Sequence, residues 1–120
     1  MARHLELGEN SEELAARYLI RKGMSIVARR VRYRCGELDL VARQGREWVF
    51  VEVKSRRGDR KGRASESFTA TKSQRMRRAV EMYVRDHGLD NEPIRCDFVA
   101  IDFSIDGVPE IRHYPGGIHW

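Results

Sequence analysis

The chain has 120 residues and a formal charge of +5 at neutral pH, a length that fits one domain and leaves no room for a second catalytic module. Apolar residues make up 41% and prolines number three, enough for a modest core and unlike a disordered chain. No apolar run is long enough to span a bilayer, and the opening Met-Ala-Arg-His-Leu-Glu lacks the apolar block of a secretory signal. A cytoplasmic protein is therefore expected.

Residues 4 to 22 read as an amphipathic helix that stops at Gly23. At 100° per residue Leu5, Gly8, Ala15, Ala16 and Leu19 share one arc, and Glu12 falls inside it. A carboxylate on that stripe needs a cation, a metal or a hydrogen-bond donor; otherwise it sits at the stripe's edge and reaches solvent or an arginine. Glu13 faces out, four residues before Arg17, as a surface pair.

Ile26 to Arg32 alternates as a strand. Two further runs, Glu37–Arg43 and Glu47–Lys54, flank Gln44-Gly45-Arg46. With Gly45-Arg46 as a two-residue hairpin loop, facing residues follow by arithmetic. Leu38, Leu40 and Ala42 then face Val53, Val51 and Val49 on a wholly apolar side. On the other side Val41 faces Phe50, Asp39 faces Glu52, and Glu37 faces Lys54. Register slippage by one residue would set carboxylates against valines. Two acids directly opposed, about 5 Å apart at Cβ, destabilise a bare hairpin. A divalent cation bridging Asp39 and Glu52 would relieve them; Lys54 with a neighbouring arginine could do so instead.

Residues 55 to 68, with Gly58 and Gly62 among charges and serines, read as a mobile loop. Thr71-Lys-Ser-Gln74 fits a capping box, and Met76, Ala79, Val80, Tyr83 and Val84 form the apolar stripe of a helix that ends at Gly88. Arg75, Arg78 and Arg85 face outward. Arg95 to Phe103 is a buried strand; Asp106-Gly107 then turns into a short edge segment with Pro109. Tyr114 and Trp120 are expected to cover the sheet.

The charge is not spread evenly. From Lys54 to Arg78 ten basic residues stand against two acids, so this stretch carries +8 and the remainder −3. Arg29, Arg30, Arg32 and Arg34 precede it. Such clustering suits phosphate neutralisation and counterion release; a merely solvated charged face is the plain alternative. Cys35 and Cys96 stand 61 positions apart without zinc-ligand spacing, and the four scattered histidines read as surface or partly packed imidazoles.

The residues Gly36-Glu-Leu-Asp-Leu-Val-Ala42 followed by Val49-Phe-Val-Glu-Val-Lys54 resemble the YraN-like family of bacterial proteins. That family is placed in the restriction-endonuclease-like PD-(D/E)XK nuclease superfamily, alongside archaeal Holliday junction resolvases. The likeness extends over the helix Ser11–Leu19, the Thr69-Ala-Thr-Lys72 helix start, and Asp97-Phe-Val-Ala-Ile-Asp102. It implies an α/β fold of αβββαββ order, a mixed central sheet flanked by helices. It also implies that Asp39 matches the aspartate of PD, with Leu38 in place of the signature proline, and that Glu52 and Lys54 match the (D/E)XK pair. Glu12 matches the first-helix glutamate near the metal of resolvase-like relatives. On that pattern Asp39, Glu52, Glu12 and the carbonyl of Val53 would hold Mg²⁺, or Mn²⁺, while Lys54 acts on the attacking water or the charged transition state. Lys72 could reach the scissile phosphate, and Arg56, Arg57, Arg75 and Arg78 would hold the DNA backbone. The expected activity is metal-dependent DNA endonuclease, by analogy on branched or repair-intermediate DNA and in a homodimer, with no organic cofactor and no membrane partner. A noncatalytic nucleic-acid-binding module that keeps the fold is the alternative, and a structural partner of other proteins a third.

Overall fold

The computed structural model describes residues 7–58 and 70–118, with side chains from residue 11 and, in the second helix, from residue 73. The elements run α1 (Leu7–Arg21), β1 (Ser25–Tyr33), β2 (Gly36–Gln44), β3 (Glu47–Arg57), α2 (Ala70–His87), β4 (Ile94–Phe103) and β5 (Pro109–Ile118). This is the αβββαββ order. One five-stranded sheet follows chain order, β1-β2-β3-β4-β5. Neighbours are antiparallel except β3 and β4, which run parallel. The α2 connection makes that parallel pair reachable, since a tight turn cannot return a strand to the same direction.

Each helix covers one face of the sheet. Ala15, Ala16 and Leu19 of α1 pack with Leu40, Ala42, Val49, Val51, Val53, Val99 and Ile101. Met76, Ala79, Val80 and Tyr83 of α2 pack with Val41, Phe50, Cys96, Phe98 and Ala100 on the opposite side. Because side chains alternate along a strand, β3 and β4 feed both cores and carry long apolar runs. Both helices end as the glycines foretell. Gly23 and Gly88 have φ of +97° and +66°, and the residues after them donate back to Leu19 and Val84 in the six-to-one bond of a Schellman close.

Three expectations shift. The second helix begins at Ala70, so Thr71 lies inside its first turn and does not cap it. β3 runs on to Arg57 because Arg56 and Arg57 pair with Asp102 and Phe103 of β4, which removes the start of the expected loop; residues 59–69 lie outside the described residues. β5 is a ten-residue edge strand and not a short segment. An edge position tolerates Pro109 and Pro115, whose missing N–H groups need no partner there. Of the two placements expected for the histidines, His113 takes the packed one and serves as a structural anchor, its side chain only 6% exposed and its Nε2 2.8 Å from Asp97. Leu5, Gly8, His4, His119 and Trp120 fall outside the described side chains.

The Asp97 carboxylate is wholly buried. Arg95 donates to it through Nε at 3.0 Å and Nη2 at 3.2 Å, and the Gly116 N–H does so at 2.8 Å. Burial pushes this acid's pKa upward, but the His113, Arg95 and Gly116 bonds outweigh it and hold the carboxyl below its usual value. Arg95 also reaches Glu47 at 3.1 Å, so one network ties β3, β4 and β5 together. Ordinary strand alternation gives no hint of it.

Candidate active site

The hairpin forms in the register the arithmetic demands, from Gln44 opposite Glu47 to Leu40 opposite Val51. There the ladder ends. Asp39 does not continue it opposite Glu52: its Oδ2 accepts the Val53 N–H at 2.7 Å, so a side chain takes the backbone donor that a ladder partner would otherwise use. On the other flank of β2, Leu40 pairs with Arg29 and Leu38 with Val31, and the Arg30–Asp39 position between them is skipped. β2 is thus interrupted at Asp39 on both sides. The expectation that Leu38, Leu40 and Ala42 share one face fails at this point. Leu38 packs in the α2 core, while Leu40 and Ala42 pack in the α1 core, because strand alternation is lost where the side chain replaces the ladder.

Where β2 and β3 part, a cleft of about 470 Å³ opens. Its lining comes from four elements: Ser11 and Glu12 of α1, Glu37 and Asp39 of β2, Glu52 to Ser55 of β3, and Arg75 and Met76 of α2. The cleft therefore brings together Glu12, Asp39, Glu52, Val53, Lys54 and Arg75. It does not include Arg56, Arg57 or Arg78. Arg57 places its guanidinium 5.7 Å from the centre of the Phe103 ring, and Arg78 is exposed. Lys72 lies in the first turn of α2, and its side chain is outside the described residues.

Each acid has a nearby protein partner. Glu12, with its side chain 20% exposed, accepts from Arg30 Nε at 2.8 Å. This is the edge-of-stripe placement with an arginine. Glu52 stands 3.8 Å from Lys54 Nζ, and Glu37 stands 3.6 Å from Arg32. Among the described residues, no three His, Cys, Asp or Glu side chains form a group that could hold a metal ion as they lie.

Asp39 is the perturbed group. Burial pushes its pKa up to about 6; the Val53 N–H opposes that rise, the nearby Glu12 and Glu37 add to it, and Lys54 works against it. Asp39 is thus a desolvated acid with two further acids near it. Sequence reading left Ser11, Glu37, Ser55 and Met76 out of the site. For Glu37 the signal was present, since the hairpin register set it opposite Lys54.

The model of the uncharacterised protein family UPF0102 matches residues 11–101. A UPF0102 protein of Rhodococcus jostii is 45% identical over 94% of this chain and 96% of its own. One from Symbiobacterium thermophilum is 41% identical, with the same shares covered, and one from Syntrophotalea carbinolica is 42% identical over 93% of this chain and 90% of its own. The chain belongs to the UPF0102 family. This YraN-like family is a PD-(D/E)XK nuclease-like group. The five-stranded mixed sheet with two helices is compatible with a restriction-endonuclease-like core. The UPF0102 match spans α1 through most of β4, so it contains every element that lines the cleft. Among the described residues no helix is long and apolar enough to cross a membrane.

Proposed function

We propose that this UPF0102 protein is a metal-dependent DNA endonuclease that hydrolyses phosphodiester bonds in the cleft between β2 and β3. One observation carries the reading: Asp39, Glu52 and Lys54 from two parting strands, with Glu12 from α1, line a single cavity. Carboxylates and a strand carbonyl are hard oxygen donors, the chemistry that suits Mg²⁺ or Mn²⁺. The raised pKa of Asp39 and the acids around it mark a place where a cation would relieve repulsion. Asp39, Glu52 and the Val53 carbonyl would hold the ion, with Glu12 joining directly or through water. Such an ion supplies charge neutralisation at the phosphate and a more acidic water.

The protein's own groups do the rest. Lys54 presents three donors at the cleft, where it orients the attacking water and stabilises the charge that builds on the phosphate oxygens. Water adds at phosphorus, one ester P–O bond breaks, and a phosphate monoester and a hydroxyl end result. Arg75 holds the neighbouring backbone, and Lys72, Arg56, Arg57 and Arg78 extend that contact without reading bases. Branched or repair-intermediate DNA, a homodimer and a cytoplasmic setting belong to this proposal.

The test incubates linear, single-stranded and four-way-junction DNA with Mg²⁺ or Mn²⁺, wild type beside Glu52→Ala. Metal-dependent cleavage that the substitution reduces at least a hundredfold is expected, and cleavage unaffected by it would place the activity elsewhere. A second reading rests on the protein partners that now engage Glu12, Asp39 and Glu52: a noncatalytic module that binds nucleic acid through the same face. Binding at low salt with no cleavage under either metal selects it.

A further inference from the structure

Arg30 is the one residue other than glycine, among those described, with a positive φ, at 52°. An L side chain is sterically disfavoured in that left-handed region, and an arginine gains nothing locally in return. The residue sits in mid-strand, at the position facing Asp39, where the β1–β2 ladder skips a pair. What the conformation achieves is a contact: Arg30 Nε reaches Glu12 Oε1 at 2.8 Å across from β1 to α1. Glu12 is also an acidic neighbour whose charge raises the pKa of Asp39. A strained backbone thus delivers a fixed positive charge to the acid shared by α1 and the cleft.

We infer that Arg30 is a positioning residue that pairs with Glu12, so that the guanidinium and a divalent cation would compete for the same carboxylate. The inference rests on the metal-dependent reading of the cleft. It assigns the cost of the left-handed backbone to a defined purpose.

The experiment titrates the protein with Mn²⁺ and follows the free-ion signal by electron paramagnetic resonance, which needs no turnover. Arg30→Asn and Arg30→Gly both accept a left-handed φ, so either keeps the strand geometry; thermal melting confirms that each folds. A partly exposed ion pair contributes a few tenths to about 1 kcal/mol, so its removal should tighten Mn²⁺ binding roughly two- to fivefold. In a Glu12→Gln background the same Arg30 substitutions should have no effect, because there is no carboxylate left to release. Unchanged or weaker Mn²⁺ binding in the folded Arg30 variants overturns the inference, as does tightening that persists with Glu12→Gln. Wild type and variants that all fail to bind Mn²⁺ overturn the metal reading along with it. Wild-type binding with no response to Arg30 overturns this inference alone.

Discussion

Asp39 carries opposite demands on stability and on chemistry. Its buried carboxyl has a pKa raised from 3.8 to about 6, so the folded state holds the proton more tightly than the unfolded chain. The sign follows by linkage: this contribution favours folding fully below pH 3.8 and is lost as pH rises through about 6. A rise of that size corresponds to at most about 3 kcal/mol. Asp39→Asn keeps an oxygen to accept the Val53 N–H and removes the charge. It should melt higher than wild type at pH 8, with the gap closing toward pH 4, while Mn²⁺ binding and cleavage fall. Melting curves at the two pH values decide it; an Asn variant less stable than wild type at pH 8 would contradict the assignment. Residue identity let the sequence point to Asp39 as a candidate, because an acid opposite an acid is conspicuous. What it could not tell is that the carboxylate takes a backbone donor, since that depends on where the two strands separate.

At the scale of elements, the hairpin and both glycine-terminated helix ends were legible because each has a local cause: glycine at a turn, period-two alternation, or a 3.6-residue stripe; the complete αβββαββ order came with the family resemblance. The seating of α2 has no such local cause. It depends on Gly36, where an added Cβ would lie 2.3 Å from the Arg75 carbonyl oxygen and 2.9 Å from its carbon. No rotamer relieves a clash with backbone, so α2 would have to lift from β2, and Arg75 and Met76 lie in the cleft wall. Gly36→Ala should therefore cost on the order of 1–3 kcal/mol, as overpacking does, and weaken DNA binding in the fraction that stays folded. Urea unfolding and binding at low temperature measure the two effects separately. Full stability with an alanine there would mean that the helix sits farther from the strand. The buried Asp97 network was equally hidden, because its partners come from β3, β4 and β5, up to 69 residues apart between Glu47 and Gly116.

At the scale of the whole molecule, which measures 45 by 30 by 24 Å, the basic charge is concentrated in one stretch of the sequence. The +8 stretch from Lys54 to Arg78 begins in the cleft wall and ends on the exposed side of α2. Arg75 lines the cleft, while Arg85 is exposed in the last turn of the same helix, about 15 Å farther along its axis. If nucleic acid lies across the cleft end, the two arginines should differ as phosphate contacts. The logarithm of affinity should fall linearly with the logarithm of salt concentration, with a slope near −0.9 for each phosphate neutralised on duplex DNA. Arg75→Ala should reduce that slope by about one and weaken binding alike for unrelated sequences, the mark of a backbone contact. Arg85→Ala should leave the slope unchanged. Fluorescence anisotropy over a series of salt concentrations reads both. Equal losses at the two positions would show that the basic surface acts as diffuse charge, and a slope insensitive to either would move the binding path off α2.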